Sequence, residues 1–305
     1  MLSCSITNKI KSMKILKYTL LLATLLSIGL FNSCKDDDAT PADVLITSHR
    51  KNGKVFKVDV TSGVLTEIFT PTVGANTLKE IRAFVYHRGE DKFFASATSF
   101  VDQDNPRSGV LYSIDPTTKV GTIINDNTGG GGSYAVWDAV VNWAVASDDS
   151  LISVGDFNAN GNGIVKFGVN GGRSTKTKQL NACCGFALLY DRSTGELQIS
   201  NGEESDDKEI IFNTINTSGT ITNTTSITTF ADFPASLDNH WLTLKAMAKD
   251  RAGKIYGILF DTDVSVTYFV EVNLTTLTIR YISTIGADNN NQYNSLAYIP
   301  ARYAN

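Results

Sequence analysis

Apolar and β-branched residues come in short runs separated by clusters of Asp, Asn, Gly, Ser and Thr, and no run after residue 34 carries a helical period. That pattern predicts strands joined by tight turns. One turn recurs as an apolar residue, then Asp or Asn, then Thr, Ser or Gly. The copies are Val58-Asp59-Val60-Thr61-Ser62-Gly63, Ile114-Asp115-Pro116-Thr117-Thr118, Val169-Asn170-Gly171-Gly172, Ile215-Asn216-Thr217-Ser218-Gly219 and Val272-Asn273-Leu274-Thr275-Thr276. Their Asp or Asn residues, at 59, 115, 170, 216 and 273, are spaced by 56, 55, 46 and 57. Strand-like runs flank every copy: Lys54–Val58 and Val64–Phe69, Val110–Ile114 and Val120–Ile124, Ile164–Val169 and Ser174–Leu180, Ile210–Ile215 and Ile221–Phe230, Tyr268–Val272 and Leu277–Ile285. An Asx side chain can bond the backbone two residues on, and glycine reaches positive φ freely, so each copy predicts a hairpin. A second set of turns lies upstream, at His87–Asp91, Ser147–Ser150, Asp191–Gly195 and Asp250–Gly253.

Four strands in each repeat, without helices, predict a β-propeller. The expected architecture is all-β: a single β-propeller over 44–300 with five four-stranded blades, the ring closed by the C-terminal strand joining the N-terminal hairpins. The chain length fits this. Beyond Asn273 there are 32 residues and from Cys34 to Asp59 another 25, together one more period. The last run, Tyr293–Ile299, has no partner nearby in sequence, and pairing Leu296–Ile299 with Val44–Thr47 would remove two open edges. Residues 301–305 are left as a tail. Unbroken apolar runs such as Phe186-Ala187-Leu188-Leu189 suit strands covered on both faces.

The start of the chain has another character. Met13-Lys14-Ile15-Leu16-Lys17 is basic, and Tyr18–Phe31 is apolar throughout most of its length. The run suits a secretory signal and falls short of the ~20 residues that span a bilayer. Met13 makes a better start for such a leader than Met1. Asn32-Ser33-Cys34 and then Lys35-Asp36-Asp37-Asp38 follow. The Cys resembles that of the bacterial lipoprotein lipobox, and the acidic stretch resembles the tether of Gram-negative lipoproteins on the outer leaflet. This resemblance implies that 1–33 is a signal peptide, that Cys34 is acylated, and that 34–43 is a flexible acidic tether. It also implies an outer-membrane, lipid-anchored protein facing the cell exterior. Loss of the leader removes four lysines and no acid, taking the net charge from −4 to −8. So acidic a chain argues against nucleic acid as a partner.

In a ring of four-strand meanders, second-to-third loops share a face with the loops between blades. Here that face carries long, unlike segments, including Phe100–Ser108, Asn125–Ser133, Asn201–Lys208 and Thr229–Asn239, whereas the other carries the stereotyped turns. Variable loops on a rigid scaffold are where binding residues gather. The loops leading into innermost strands hold Tyr134, Trp137, Asp138, His240, Trp241, Tyr293 and Asn294. Flat rings beside amides and carboxylates suit sugars, so these are the candidate residues for a glycan or protein ligand.

Three further motifs bear on chemistry. Asp156, Asn158 and Asn160 alternate as in the first half of a calcium loop, but Phe167 stands where an EF-hand needs Glu. A short calcium turn is therefore the one cofactor expectation. Adjacent Cys183 and Cys184 form either a strained vicinal disulfide or two buried thiols, and no widely spaced cysteine pair staples the domain. No His-Glu-x-x-His or Gly-x-Ser-x-Gly string exists. Over 34–305 the pattern resembles bacterial propeller lipoproteins of the quinoprotein-like or YVTN-like kind. The expected function is a surface-exposed, non-enzymatic binding module. The alternative is a glycan-active hydrolase using carboxylates such as Asp138, Asp156 and Asp261 around the central channel.

Overall fold

The computed structural model describes residues 43–97, 110–125, 142–156, 162–170, 173–179, 185–201, 208–216, 218–286 and 293–304. All belong to the compact unit Asp37–Asn305. The chain opens with β1 (Asp43–Ser48), β2 (Val55–Val58) and β3 (Leu65–Phe69), then a ribbon of β4 (Thr72–Val73) and β5 (Asn76–Thr77). Next come β6 (Ala83–His87), β7 (Lys92–Ala97), β8 (Val110–Ile114) and β9 (Gly121–Asn125), followed by β10 (Ala144–Val145), β11 (Leu151–Asp156), β12 (Asn162–Phe167) and β13 (Arg173–Gln179). The second half contains β14 (Gly185–Asp191), β15 (Glu196–Asn201), β16 (Ile210–Ile215) and β17 (Ile221–Ile227). It ends with β18 (Thr229–Ala231), β19 (Leu242–Lys249), β20 (Ile255–Asp261), β21 (Val266–Asn273), β22 (Thr278–Gly286) and β23 (Ala297–Pro300). Helix among the described residues is limited to one 3-10 turn, Ala301–Tyr303.

The fold is all-β with a propeller-like arrangement of antiparallel meanders. Four sheets have four strands, in the orders β23-β1-β2-β3, β6-β7-β8-β9, β10-β11-β12-β13 and β14-β15-β16-β17. The fifth large sheet has five strands, β18-β22-β21-β20-β19. This corrects the expectation of uniform four-stranded units. The run Ile221–Phe230 is not one strand: it ends at Ile227, and β18 crosses to lie parallel on β22, with Phe230 opposite Ile279. Aromatic packing accounts for the break. Phe230 contacts Phe233, which packs edge-on against Tyr268 and also meets Tyr281 of the next sheet.

The repeated turns form as their residues dictate. Asp59 Oδ1 accepts the amides of Thr61 and Ser62, Asp115 Oδ1 those of Thr117 and Thr118, Asn216 Oδ1 those of Ser218 and Thr220, and Asn273 Oδ1 those of Thr275 and Thr276. The upstream turns use the same device at Asp148, Asp191 and Asp250.

Apolar clusters lie between successive sheets. Ile46, Val55, Phe84 and Phe93 join the first two, Phe94, Leu111, Trp143 and Leu151 the next two, and Ile152, Ile164, Leu188 and Ile199 the two after those. Ile210, Phe212, Leu244 and Leu259 join the fourth to the last, and Leu45, Val58, Ala246, Ile258 and Phe269 join the last to the first. β23 pairs antiparallel with β1, Val44 opposite Ile299 and Ile46 opposite Ala297. The 3-10 turn then returns Tyr303 to the first cluster, where its hydroxyl donates to Asp91 Oδ2 at 2.7 Å.

Candidate ligand site at the upstream ends of the inner strands

The strands β23, β6, β10, β14 and β19 begin their sheets and touch one another in that order, with β19 again touching β23. All five line a cavity of about 100 Å³ toward the short-turn end, with Tyr86, Val145, Tyr190, Lys249 and Tyr298 among its walls. The upstream ends of these strands are where the candidate residues are expected.

His240 and Trp241 immediately precede β19. His240 Nδ1 lies 2.7 Å from Oδ2 of Asp261, the last residue of β20, and Leu242 pairs with Asp261 in register. Asp261 is fully buried, and its Oδ1 accepts the amides of Asp263 and Val264 at 3.2 and 3.4 Å. The contact with buried Asp261 orients the ring through Nδ1 and leaves Nε2 as the ring nitrogen outside that contact. The Trp241 amide donates to Asp263 Oδ2 at 2.5 Å, and its carbonyl accepts the Thr262 amide at 3.0 Å. Its backbone is thus fixed while the residue stays 36% exposed.

Tyr293 and Asn294 precede β23. Tyr293 forms a bridge with His49, and its ring packs edge-on against His49 and Phe56, at centroid distances of 5.2 and 6.1 Å. It wedges against the β1–β2 corner. Asn294 is 8% exposed, and its Oδ1 has no hydrogen-bond partner among the described residues. Beside it, Ser295 Oγ accepts the Ser48 amide at 3.1 Å and lies 2.6 Å from Ser48 Oγ.

The structure adds residues that the sequence reading missed. Buried Ser200 donates to the Leu244 carbonyl at 3.1 Å, and buried Ser153 donates to that of Asn142 at 2.7 Å. Asn142 Nδ2 reaches the Lys245 carbonyl at 3.4 Å. Lys245 is the extra residue of a bulge in β19, between the pairs Leu244↔Leu259 and Ala246↔Ile258. Burial pushes its ammonium down to about 8, with the nearby Arg50 charge acting in the same direction. Its Nζ lies 5.6 Å from the centre of the Phe260 ring. One signal was available in the sequence: a lysine interrupting the apolar stretch Leu242–Ala248.

Tyr134, Trp137, Asp138, Asn158, Asn160, Cys183, Cys184 and Cys34 lie outside the described residues. Asp156 closes the β11–β12 pair opposite Asn162. Among the described residues no group of three or more His, Cys, Asp or Glu is placed to hold a metal ion. Of the three carboxylates named for hydrolysis, Asp261 is occupied by His240 and two amides.

No family model matches the chain, and no curated protein matches it. Among solved structures, a chain of a nidogen/laminin complex is 9% identical with a TM-score of 0.51, covering 85% of this chain and 99% of that one. A protein from Lactobacillus plantarum is 9% identical with a TM-score of 0.47, covering 84% and 99%. The periplasmic gluconolactonase of Pseudomonas aeruginosa is 10% identical with a TM-score of 0.42, covering 81% and 70%. At such identities likeness speaks to fold alone, and one fold hosts many functions. The arrangement of the antiparallel sheets is itself that of a β-propeller domain.

Proposed function

We propose that the chain is a lipid-anchored, five-bladed propeller, closed through β23 and β1, that binds a glycan at its loop-rich mouth without catalysing a reaction. The cyclic order of inner-strand contacts and the cluster shared by the last and first sheets support the closed ring. The leader sequence and Cys34 support the anchor. The binding reading rests on one observation: the exposed Trp241 ring adjoins His240, whose orientation is fixed by buried Asp261. An aromatic face stacks on the apolar side of a sugar, and an imidazole held in one orientation can hydrogen-bond a sugar hydroxyl.

A glycan array probed with the detergent-solubilised full-length protein tests this reading. Binding to a defined glycan class is expected, and Trp241→Ala should weaken it about tenfold or more at unchanged Tm. Absence of binding to any glycan, with a protein cross-linked at the mouth instead, would replace the sugar by a protein ligand. Incorporation of labelled palmitate into the wild type but not Cys34→Ala tests the anchor.

A further inference from the structure

We propose that the short-turn end carries a second ligand site, a cavity between the last and first sheets that takes a short zwitterionic peptide with aliphatic side chains. β19, eight residues long, separates it from His240 and Trp241, and it stands independently of the glycan reading. The cavity, of about 450 Å³, is the size of a small-ligand site. Leu45, Val58 and Tyr256, all from the apolar cluster shared by the last and first sheets, line it together with Tyr298 and the exposed Val60. Two of the short turns frame it: the one that Asp59 begins, and the one containing Asp250, Arg251 and Ala252. Tyr256 is buried and stacks on Phe269 at a centroid distance of 5.6 Å, which fixes that wall.

Charge selects the ligand. Lys57 and Asp59 border the cavity on one side and Asp250 and Arg251 on the other, and none of the four forms an ion pair among the described residues. Asp43, also on its wall, is taken by Arg88. The other two carboxylates are positioned by backbone. Asp59 Oδ1 accepts the Thr61 and Ser62 amides and Asp250 Oδ1 that of Lys254, which leaves Oδ2 of each without a hydrogen-bond partner among the described residues. The Tyr298 phenol is pushed well above its ordinary range by burial and by the Asp250 carboxylate, so it stays a donor. A ligand of one sign would be repelled by two of the four charges, whereas one bearing an ammonium and a carboxylate pairs with both kinds. The ammonium meets Asp59 and Asp250, the carboxylate meets Arg251 and the Tyr298 hydroxyl, and aliphatic side chains cover Leu45, Val58 and Val60. A neutral sugar offers neither the charges nor the apolar cover.

Calorimetric titration of the full-length, detergent-solubilised protein tests the site. The probes are leucyl-leucine, N-acetyl-leucyl-leucine, leucyl-leucinamide and glycyl-glycine. Leucyl-leucine is expected to bind about tenfold more tightly than each of the other three. Tyr298→Phe should weaken it about fivefold, and Arg251→Gln should narrow its lead over leucyl-leucinamide, both at unchanged Tm. Ala252→Trp, which fills the cavity from the exposed turn, should abolish binding. Equal binding of either singly charged derivative, equal binding of glycyl-glycine, or no binding of leucyl-leucine would overturn the proposal. Wild-type affinity in Ala252→Trp would place the peptide elsewhere and overturn it too. The glycan array is read separately: glycan binding without peptide binding removes this site alone.

Discussion

Asn273 fixes its hairpin through two backbone amides that one side-chain oxygen accepts. Asn273→Ala should cost about 1 kcal/mol, read as a lower midpoint in urea. Gly63→Ala should cost more. Its φ is +68°, and an added Cβ would lie 1.7 Å from Ser283 Oγ, so both backbone and neighbour must shift. Two pH effects follow from named groups. Asp191 is held at about 2: burial alone would raise it, but the Ser193 hydroxyl and amide and the Lys249 ammonium outweigh burial. Its folded value lies below the ordinary 3.8, so its stabilisation is present above that pH and is lost as pH falls toward 2. The Tm advantage of wild type over Asp191→Asn at pH 7 should vanish by about pH 2. Lys245 behaves oppositely. Its lowered value means that the folded protein binds fewer protons between about 8 and 10.5, so stability rises with pH across that window. Lys245→Met should therefore raise Tm at pH 7 by more than at pH 10. The Asx turns were legible because each is encoded within five residues. Asn142 was not, since what makes it notable is its burial and its reach to the carbonyl of Lys245, 103 residues away.

The inner and middle strands followed the sequence closely because each is a β-branched or aromatic run with a coded turn at one end. β20 is buried along its entire length, as expected of a strand covered on both sides. The exception, β18, shows what periodicity misses. Nothing in Ile221–Phe230 marks a break, and the cause is Phe233, whose partners Tyr268 and Tyr281 lie on strands of the next sheet. β18 also covers the outer edge of that sheet, where an uncovered ladder would invite pairing with another chain. Phe233→Ala should release it. Hydrogen exchange should then quicken at Thr229–Ala231 and along Thr278–Arg280, while β19 and β20 keep their protection. A uniform rise in exchange throughout the molecule would refute this local role.

At the scale of the molecule, residue counting had placed Leu296–Ile299 beside Val44–Thr47, and the observed register Val44↔Ile299 agrees. The mouth was only partly legible. Counting gave the strand ends at which His240, Trp241, Tyr293 and Asn294 stand, but it could not separate a wedged ring from an accessible one. Tyr293 packs on His49 and Phe56, whereas Trp241 remains exposed. Deleting Ala297–Asn305 removes the strand beside β1 and the Tyr303 packing, so the shortened chain should lose its cooperative thermal transition and aggregate. Asp43 has a further consequence. It begins β1 at the short-turn end, opposite Pro300, in an ion pair with Arg88 from the neighbouring sheet. A pull applied at Asp43 along the strand would load β1 along its axis. β23 and β2 grip that strand on both flanks, so the pull would shear two ladders together instead of peeling one.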